Sequence, residues 1–144
     1  MQVNYLIDEA CATSKGANAV VSYHHHFLEY YGLGEKKLIL HADNCSGQNK
    51  NNIMIGYLLW RCATGRNEEI EMNFLIAGHT KFPCNLHFGY LKKKTRRTKL
   101  SSLGDIEQAV NTSAKGNMCP LVGKQDGTVV VPVYDWQTSW KSKR

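Results

Sequence analysis

No two cysteines in this chain stand at a C-x-x-C spacing. The five present, Cys11, Cys45, Cys62, Cys84 and Cys119, are odd in number and far apart. That spacing suggests neither a zinc ribbon nor a redox pair. It reads as reduced thiols inside a cell, nuclear or cytoplasmic. Proline is scarce, with three in 144 residues, and 42% of the chain is hydrophobic, which argues for a globular protein. No apolar run approaches the roughly 20 residues of a membrane span, so no membrane partner is expected. The opening Met1-Gln2-Val3-Asn4 lacks a basic segment leading into an apolar one, so a secreted protein is not expected. Gly47, in Ser46-Gly47-Gln48-Asn49-Lys50, is not part of a G-x-x-x-x-G-K-[ST] pattern, and P-loop nucleotide hydrolysis is unsupported. The triple His24-His25-His26 makes a poor metal cluster, because consecutive helical residues point about 100° apart. Acids are missing from residues 81–99. That stretch holds Lys81, Lys92, Lys93, Lys94, Arg96, Arg97 and Lys99, so it carries +7 of a net +6 and leaves −1 elsewhere. A polyanion partner, an import signal and a solvated helix end all fit such a block.

What is there is a strand-and-helix alternation around one stretch. Leu38 to Ala42 is too short an apolar run for a helix and suits a buried strand. It ends at Asp43, followed by the polar loop Asn44-Cys45-Ser46-Gly47-Gln48-Asn49-Lys50 and an apolar helix to Ala63. An acid at the carboxyl end of a strand, before a helix start, is where α/β sheets place their sites. Asp43 is equally suited to capping the helix or closing the turn. Around this stretch, residues 3–7 read as a strand and residues 16–31 as a helix with Val20, His24, Phe27, Leu28 and Tyr31 at helical spacing. Residues 70–77 read as a strand buried on both faces, and residues 84–94 as a helix. Ser102-Leu103-Gly104-Asp105 predicts a capping box opening a helix that Gly116 ends. Residues 121–122 and 128–134 predict a hairpin across an Asp-Gly turn, with Pro132 marking an edge strand. Strands separated by helices pair in parallel, so the fold class is α/β with a small, mostly parallel sheet covered by helices.

The loop amides Asn44, Gln48 and Asn49 sit at a helix start, where they suit a carboxylate, a sugar-phosphate backbone or simply the local amides. His41 and His79 are both candidates to stand near Asp43, but their spacing indicates no metal site. Cys45 beside Asp43 lacks the third group that a nucleophilic triad needs.

The strings HADNCSGQNKNN, GYLLWRCATG, NFLIAGHTKF and Phe88-Gly89-Tyr90-Leu91-Lys92, with LVGKQDGTVVVPVYDW, YLIDEA and KGANAVVSYHHHFLE, resemble a family of uncharacterised animal transposase relatives. That family is similar to ribonuclease-H-like, integrase-like catalytic cores, and the resemblance covers nearly the whole chain. It implies a three-layer ribonuclease-H-like core with a C-terminal helix and β-hairpin, as one domain over residues 1–144. By the resemblance, Asp43 matches the acid ending the central strand, a candidate for catalysis and metal binding. Asn85 stands where relatives look to have an aspartate. An amide carbonyl carries no charge, and magnesium prefers charged hard oxygens. The first acid-bearing strand is expected upstream of this chain, with Asp8 the local substitute, which makes the chain a truncated or decayed copy. Magnesium or manganese is implied for intact relatives and not for this chain, since two-metal phosphoryl transfer needs several converging carboxylates.

The functional expectation is therefore a remnant transposase or integrase-like domain without cleavage activity. It is expected to bind nucleic acid weakly and without sequence preference through Lys92, Lys93, Lys94, Arg96 and Arg97. The alternative is a protein-interaction or non-functional α/β domain. The choice between DNA and RNA, the oligomeric state and the host role stay open.

Overall fold

The computed structural model describes residues 1–9, 16–76, 78, 83–124, 126 and 128–141. Expectations resting on Cys11, Ala77, His79, Lys81 and Gly127 lie outside the described residues. The elements run β1 (Gln2–Val3), α1 (Ala17–Tyr30), β2 (Lys37–Asp43), α2 (Asn52–Ala63), β3 (Glu69–Leu75), α3 (Pro83–Thr95), α4 (Leu103–Ser113), β4 (Asn117–Met118) and α5 (Trp136–Lys141). The fold is α/β, with two small parallel sheets. No helix among the described residues is long and apolar enough to cross a membrane. The chain divides into two compact units, residues 1–12 with 81–132 and residues 13–80 with 133–144.

The second unit contains the organising stretch. β2 and β3 pair in parallel from Lys37 opposite Glu69 to Asp43 opposite Leu75, with α2 as the connection that parallel pairing requires. Asn51 caps α2, its Oδ1 accepting from Ile53 N at 3.1 Å and Met54 N at 3.0 Å. Past the far end, Gly65 takes φ of +72°, the left-handed turn that glycine makes without a Cβ clash. The core is Val21, Met54, Tyr57, Leu58 and Trp136, with Leu40, Ile70 and Met72 from the strands packed against it.

The strands are not buried on both faces. In β2, Lys37, Ile39, His41 and Asp43 are exposed while Leu38, Leu40 and Ala42 are half-buried. β3 likewise starts by alternating, with no fully buried residue. The physical reason is that two strands form the whole described sheet, and the core covers one face of it. The apolar run at 38–42 therefore reflects strand propensity more than double burial.

Helix α1 meets this core through a polar stripe. Asn18, Ser22, His25 and Glu29 recur every three or four residues, which places them on one face. Asn18 donates to Asp135 Oδ1 at 3.1 Å and accepts from Gln137 N at 3.2 Å. The buried Ser22 hydroxyl donates to Asn18 O at 2.7 Å and accepts from Tyr134 N at 2.9 Å and Trp136 Nε1 at 3.0 Å. His25 Nδ1 lies 3.3 Å from Tyr57 Oη. Its ring meets Tyr57, Trp60, Tyr134 and Trp136 edge-on. Arg61, 5% exposed, donates to Asn67 Oδ1 at 2.7 Å, Glu29 Oε1 at 3.0 Å and Tyr57 Oη at 3.0 Å. Val20, His24, Phe27, Leu28 and Tyr31, expected at helical spacing, are half-buried, with Val20 packed against the core, and the fully buried positions are Ala19, Val21 and Ser22.

In the first unit, β1 pairs in parallel with β4, Gln2 opposite Asn117, and the ladder reaches a bridge between Leu6 and Leu121. The strand expected over 3–7 is thus shorter, and its partner is not β2. β4 is only two residues long, too short to show a periodicity. The capping box is present: Ser102 Oγ accepts from Asp105 N at 3.2 Å, and Asp105 Oδ2 accepts from Ser102 N at 2.9 Å. Ala109, Val110, Cys119, Val122 and Val131 are buried. Burial pushes the Cys119 thiol up to about 11, which leaves it protonated and unreactive at neutral pH. Among the described residues the expected hairpin shows one antiparallel bridge, Gly123 with Val129, beside backbone bonds from Lys124 N to Thr128 O and from Val130 N to Val122 O. Pro132, with no N–H to donate, stands where the second strand would continue, and Tyr134 instead bonds to Ser22 in the second unit.

Replacing Arg61 with alanine strands the Asn67 and Tyr57 oxygens and the Glu29 carboxylate. It is expected to lower stability by about 3 kcal/mol in urea unfolding. Glu29→Gln, at a more exposed partner, should cost clearly less.

Stability should also fall in mild acid. Loss of water around His24 lowers its pKa from the usual 6.5. His25 is lowered too, by burial first, against the opposing pull of Glu29. Between the folded and unfolded values the unfolded chain binds more protons, so stability there rises with pH. The urea midpoint should be flat above about pH 7 and drop as pH falls through the unfolded value, until the folded value is reached. His24→Gln should make that drop shallower.

Candidate nucleic-acid interface

The basic block lies on α3 and just past it. Pro83 opens the helix at a position where its missing N–H is no loss. Lys92, Lys93 and Lys94 fill the last turn, where cations complement the helix dipole. Thr95 Oγ1 donates to Lys92 O at 3.1 Å and Thr98 Oγ1 to Lys94 O at 3.0 Å, satisfying carbonyls at the helix end. Only His87, Leu91 and Thr95 are half-buried, one every fourth residue, and no α3 side chain is fully buried. His87 Nδ1 bonds to Asn117 Oδ1, and Asn117 Nδ2 donates to Ser113 Oγ at 2.8 Å. That links the half-buried stripe to the end of α4.

This orientation leaves Lys92, Lys93, Lys94, Arg96 and Arg97 exposed. Among the described residues no ion pair involves any of the five, so none has a carboxylate partner there. Leu86, Phe88 and Tyr90 are exposed on the same helix. In the sequence Phe88 and Tyr90 figure only in the family resemblance, and none of the three is assigned a role. Their spacing from the lysines, four residues for Phe88 to Lys92 and for Tyr90 to Lys94, was the available signal.

Asp43 ends β2 in the second unit, and Asp8 and Asn85 belong to the first. Asp43 is exposed, and its Oδ1 accepts from Cys45 N at 3.2 Å and from Asn49 Nδ2 at 2.7 Å. The Cys45 carbonyl then accepts from Gln48 N, Asn49 N and Lys50 N, closing one tight turn. Asn51 Nδ2 donates to Ser46 O at 3.2 Å, and Lys50 Nζ sits 5.5 Å from the centre of the Phe74 ring. Asn49 thus supports Asp43 directly, while Asn44 and Gln48 are exposed on the loop. His41 and Cys45 are exposed near Asp43. Asp8 is half-buried beyond the Leu6 bridge, and Asn85 is exposed on the first turn of α3. Among the described residues, no three His, Cys, Asp or Glu side chains group as metal ligands.

No curated protein and no solved structure matches the chain. A family model does match, over residues 3–142, and the chain therefore belongs to the family described as Domain of unknown function (DUF7869).

Proposed function

We propose that this chain is a transposase-derived, ribonuclease-H-like domain that binds nucleic acid and does not cut it. One observation carries the binding: five cations at 92–97 are exposed with no carboxylate partner among the described residues. Cations already paired would have to break those pairs before meeting phosphate, and these do not. A second reading, a protein-interaction domain, draws on Ile55 and Leu59, one turn apart and exposed on α2, with Ile39 exposed on β2.

The magnesium or manganese pair of intact relatives does not fit the residues present. Asn85 offers a neutral amide, and one oxygen of Asp43 already holds its own loop. A lone carboxylate holds magnesium weakly, with most of the water shell retained.

In anisotropy titrations with a labelled duplex, log K should fall linearly with log salt. The slope is about −4.5 if all five cations meet phosphates. Changing Lys92, Lys93, Lys94, Arg96 and Arg97 together to alanine should flatten it. Absent binding to duplex and single strand alike, or binding indifferent to salt, would overturn the proposal and favour the protein-interaction reading.

In a nuclease and strand-joining assay with magnesium or manganese, the chain is expected to be inactive, and Asn85→Asp should restore little or nothing. Robust cleavage lost in Asp43→Ala would refute the inactive assignment.

A further inference from the structure

On α3 each exposed aromatic ring stands one turn before a cation. Phe88 precedes Lys92 by four residues. Tyr90 precedes Lys93 and Lys94 by three and four, and Arg96 and Arg97 lie in the turn just past the helix end. Residues three or four apart on a helix are surface neighbours, so each ring lies one turn from a lysine. At 100° per residue, Phe88 and Tyr90 point roughly 160° apart, on opposite flanks of the half-buried stripe His87, Leu91, Thr95. Both rings are close to half exposed, Phe88 at 49% and Tyr90 at 45%.

This arrangement discriminates among polyanions. A duplex hides the faces of its bases in the stack and presents phosphates and groove edges, which engage the cations and leave the rings unused. An unpaired strand presents base faces and phosphates together, and aromatic stacking beside a cationic track is how such strands are held. An anionic membrane surface is the poorer match. A helix lying in a bilayer interface needs one continuous apolar face, whereas here the two rings sit on opposite flanks with cations below each.

We infer that the ligand of α3 is single-stranded nucleic acid, with Phe88 and Tyr90 as stacking platforms for bases and Lys92, Lys93, Lys94, Arg96 and Arg97 as phosphate contacts. This rests on the nucleic-acid reading above and narrows it to one substrate class. Charge complementarity and the pairing of each ring with a cation one turn away carry it.

The test compares a labelled single-stranded oligonucleotide with a duplex of equal length, at one salt concentration, on the full chain. Phe88→Leu and Tyr90→Leu keep an apolar, helix-compatible side chain and remove the ring. Circular dichroism and thermal melting check that both variants stay folded. The single strand should bind more tightly than the duplex. Each Leu variant should lose about tenfold for the single strand and little for the duplex. Tyr90→Phe should retain binding, and Tyr30→Leu, which removes an exposed ring outside α3, should change nothing.

Equal or tighter duplex binding, or Leu variants that bind the single strand like the parent, would overturn this inference while leaving nucleic-acid binding intact. So would an equal loss in Tyr30→Leu, or tighter binding to vesicles of anionic phospholipid than to either oligonucleotide. Failure to bind either oligonucleotide would overturn this inference and the broader reading together.

Discussion

The second unit depends on the polar seam along α1. Asn18, Ser22, His25 and Glu29 meet Asp135 and Gln137, Tyr134 and Trp136, Tyr57, and Arg61 in turn. A purely apolar stripe would allow α1 to rotate or slide with modest loss. These bonds do not, because the buried members among them, Ser22, Tyr57, Arg61 and Trp136, would be left unsatisfied. Arg61 is the most demanding member. Taking a guanidinium out of water is costly, and three acceptors within 3.0 Å offset that cost. Arg66 adds to the same centre, 3.4 Å from Glu29 and 4.3 Å from the middle of the Trp60 ring. The seam also anchors the stretch around residues 134–137 on α1, more than a hundred residues away in sequence. Trp136 thereby completes a core otherwise supplied by residues 21–58.

Local signals were legible where local chemistry decides. The β2–α2–β3 unit follows from an apolar run, a polar loop, an asparagine cap and a glycine past the helix end. Each of those is set within a few residues of where it acts. The α4 capping box was readable for the same reason. What the sequence did not reveal was decided by distant partners. Ser22 and His25 look like surface residues until Tyr134, Trp136 and Tyr57 supply their bonds. The partner of β1 was not legible because the pairing element, β4, is two residues long. Double burial of β3 failed as an expectation because composition cannot count how many strands a sheet will have.

The basic segment shows the same division. Its charge was plain from the letters alone, and its helix was placed within one residue at each end. Which face of α3 points inward was not. The half-buried stripe runs through His87, Leu91 and Thr95 although Leu86 and Tyr90 are the more apolar pair at helical spacing. The His87–Asn117 bond favours that choice, and it turns Leu86, Phe88 and Tyr90 outward among the cations. A helix whose rings and cations share solvent is badly placed for a core and well placed for a ligand that is both flat and charged.

Asp43 makes the converse case. It stands where α/β sheets put functional acids, yet its immediate surroundings account for it without chemistry. Its Oδ1 accepts the Cys45 amide and the Asn49 side chain, and the turn so formed delivers Asn51 to cap α2. Aspartate at the strand end, asparagine six residues on and asparagine two beyond that are the residues that such a turn and cap require. The sequence features that first drew attention to Asp43 therefore have a sufficient local cause. No comparable local cause exists for aromatic rings one turn ahead of cations on the exposed flanks of α3. Helix dipole complementarity accounts for Lys92 to Lys94 but not for the rings, and helix stability gains nothing from exposing Phe88 and Tyr90. The weight of the functional reading accordingly rests on α3 rather than on the strand end that organises the fold.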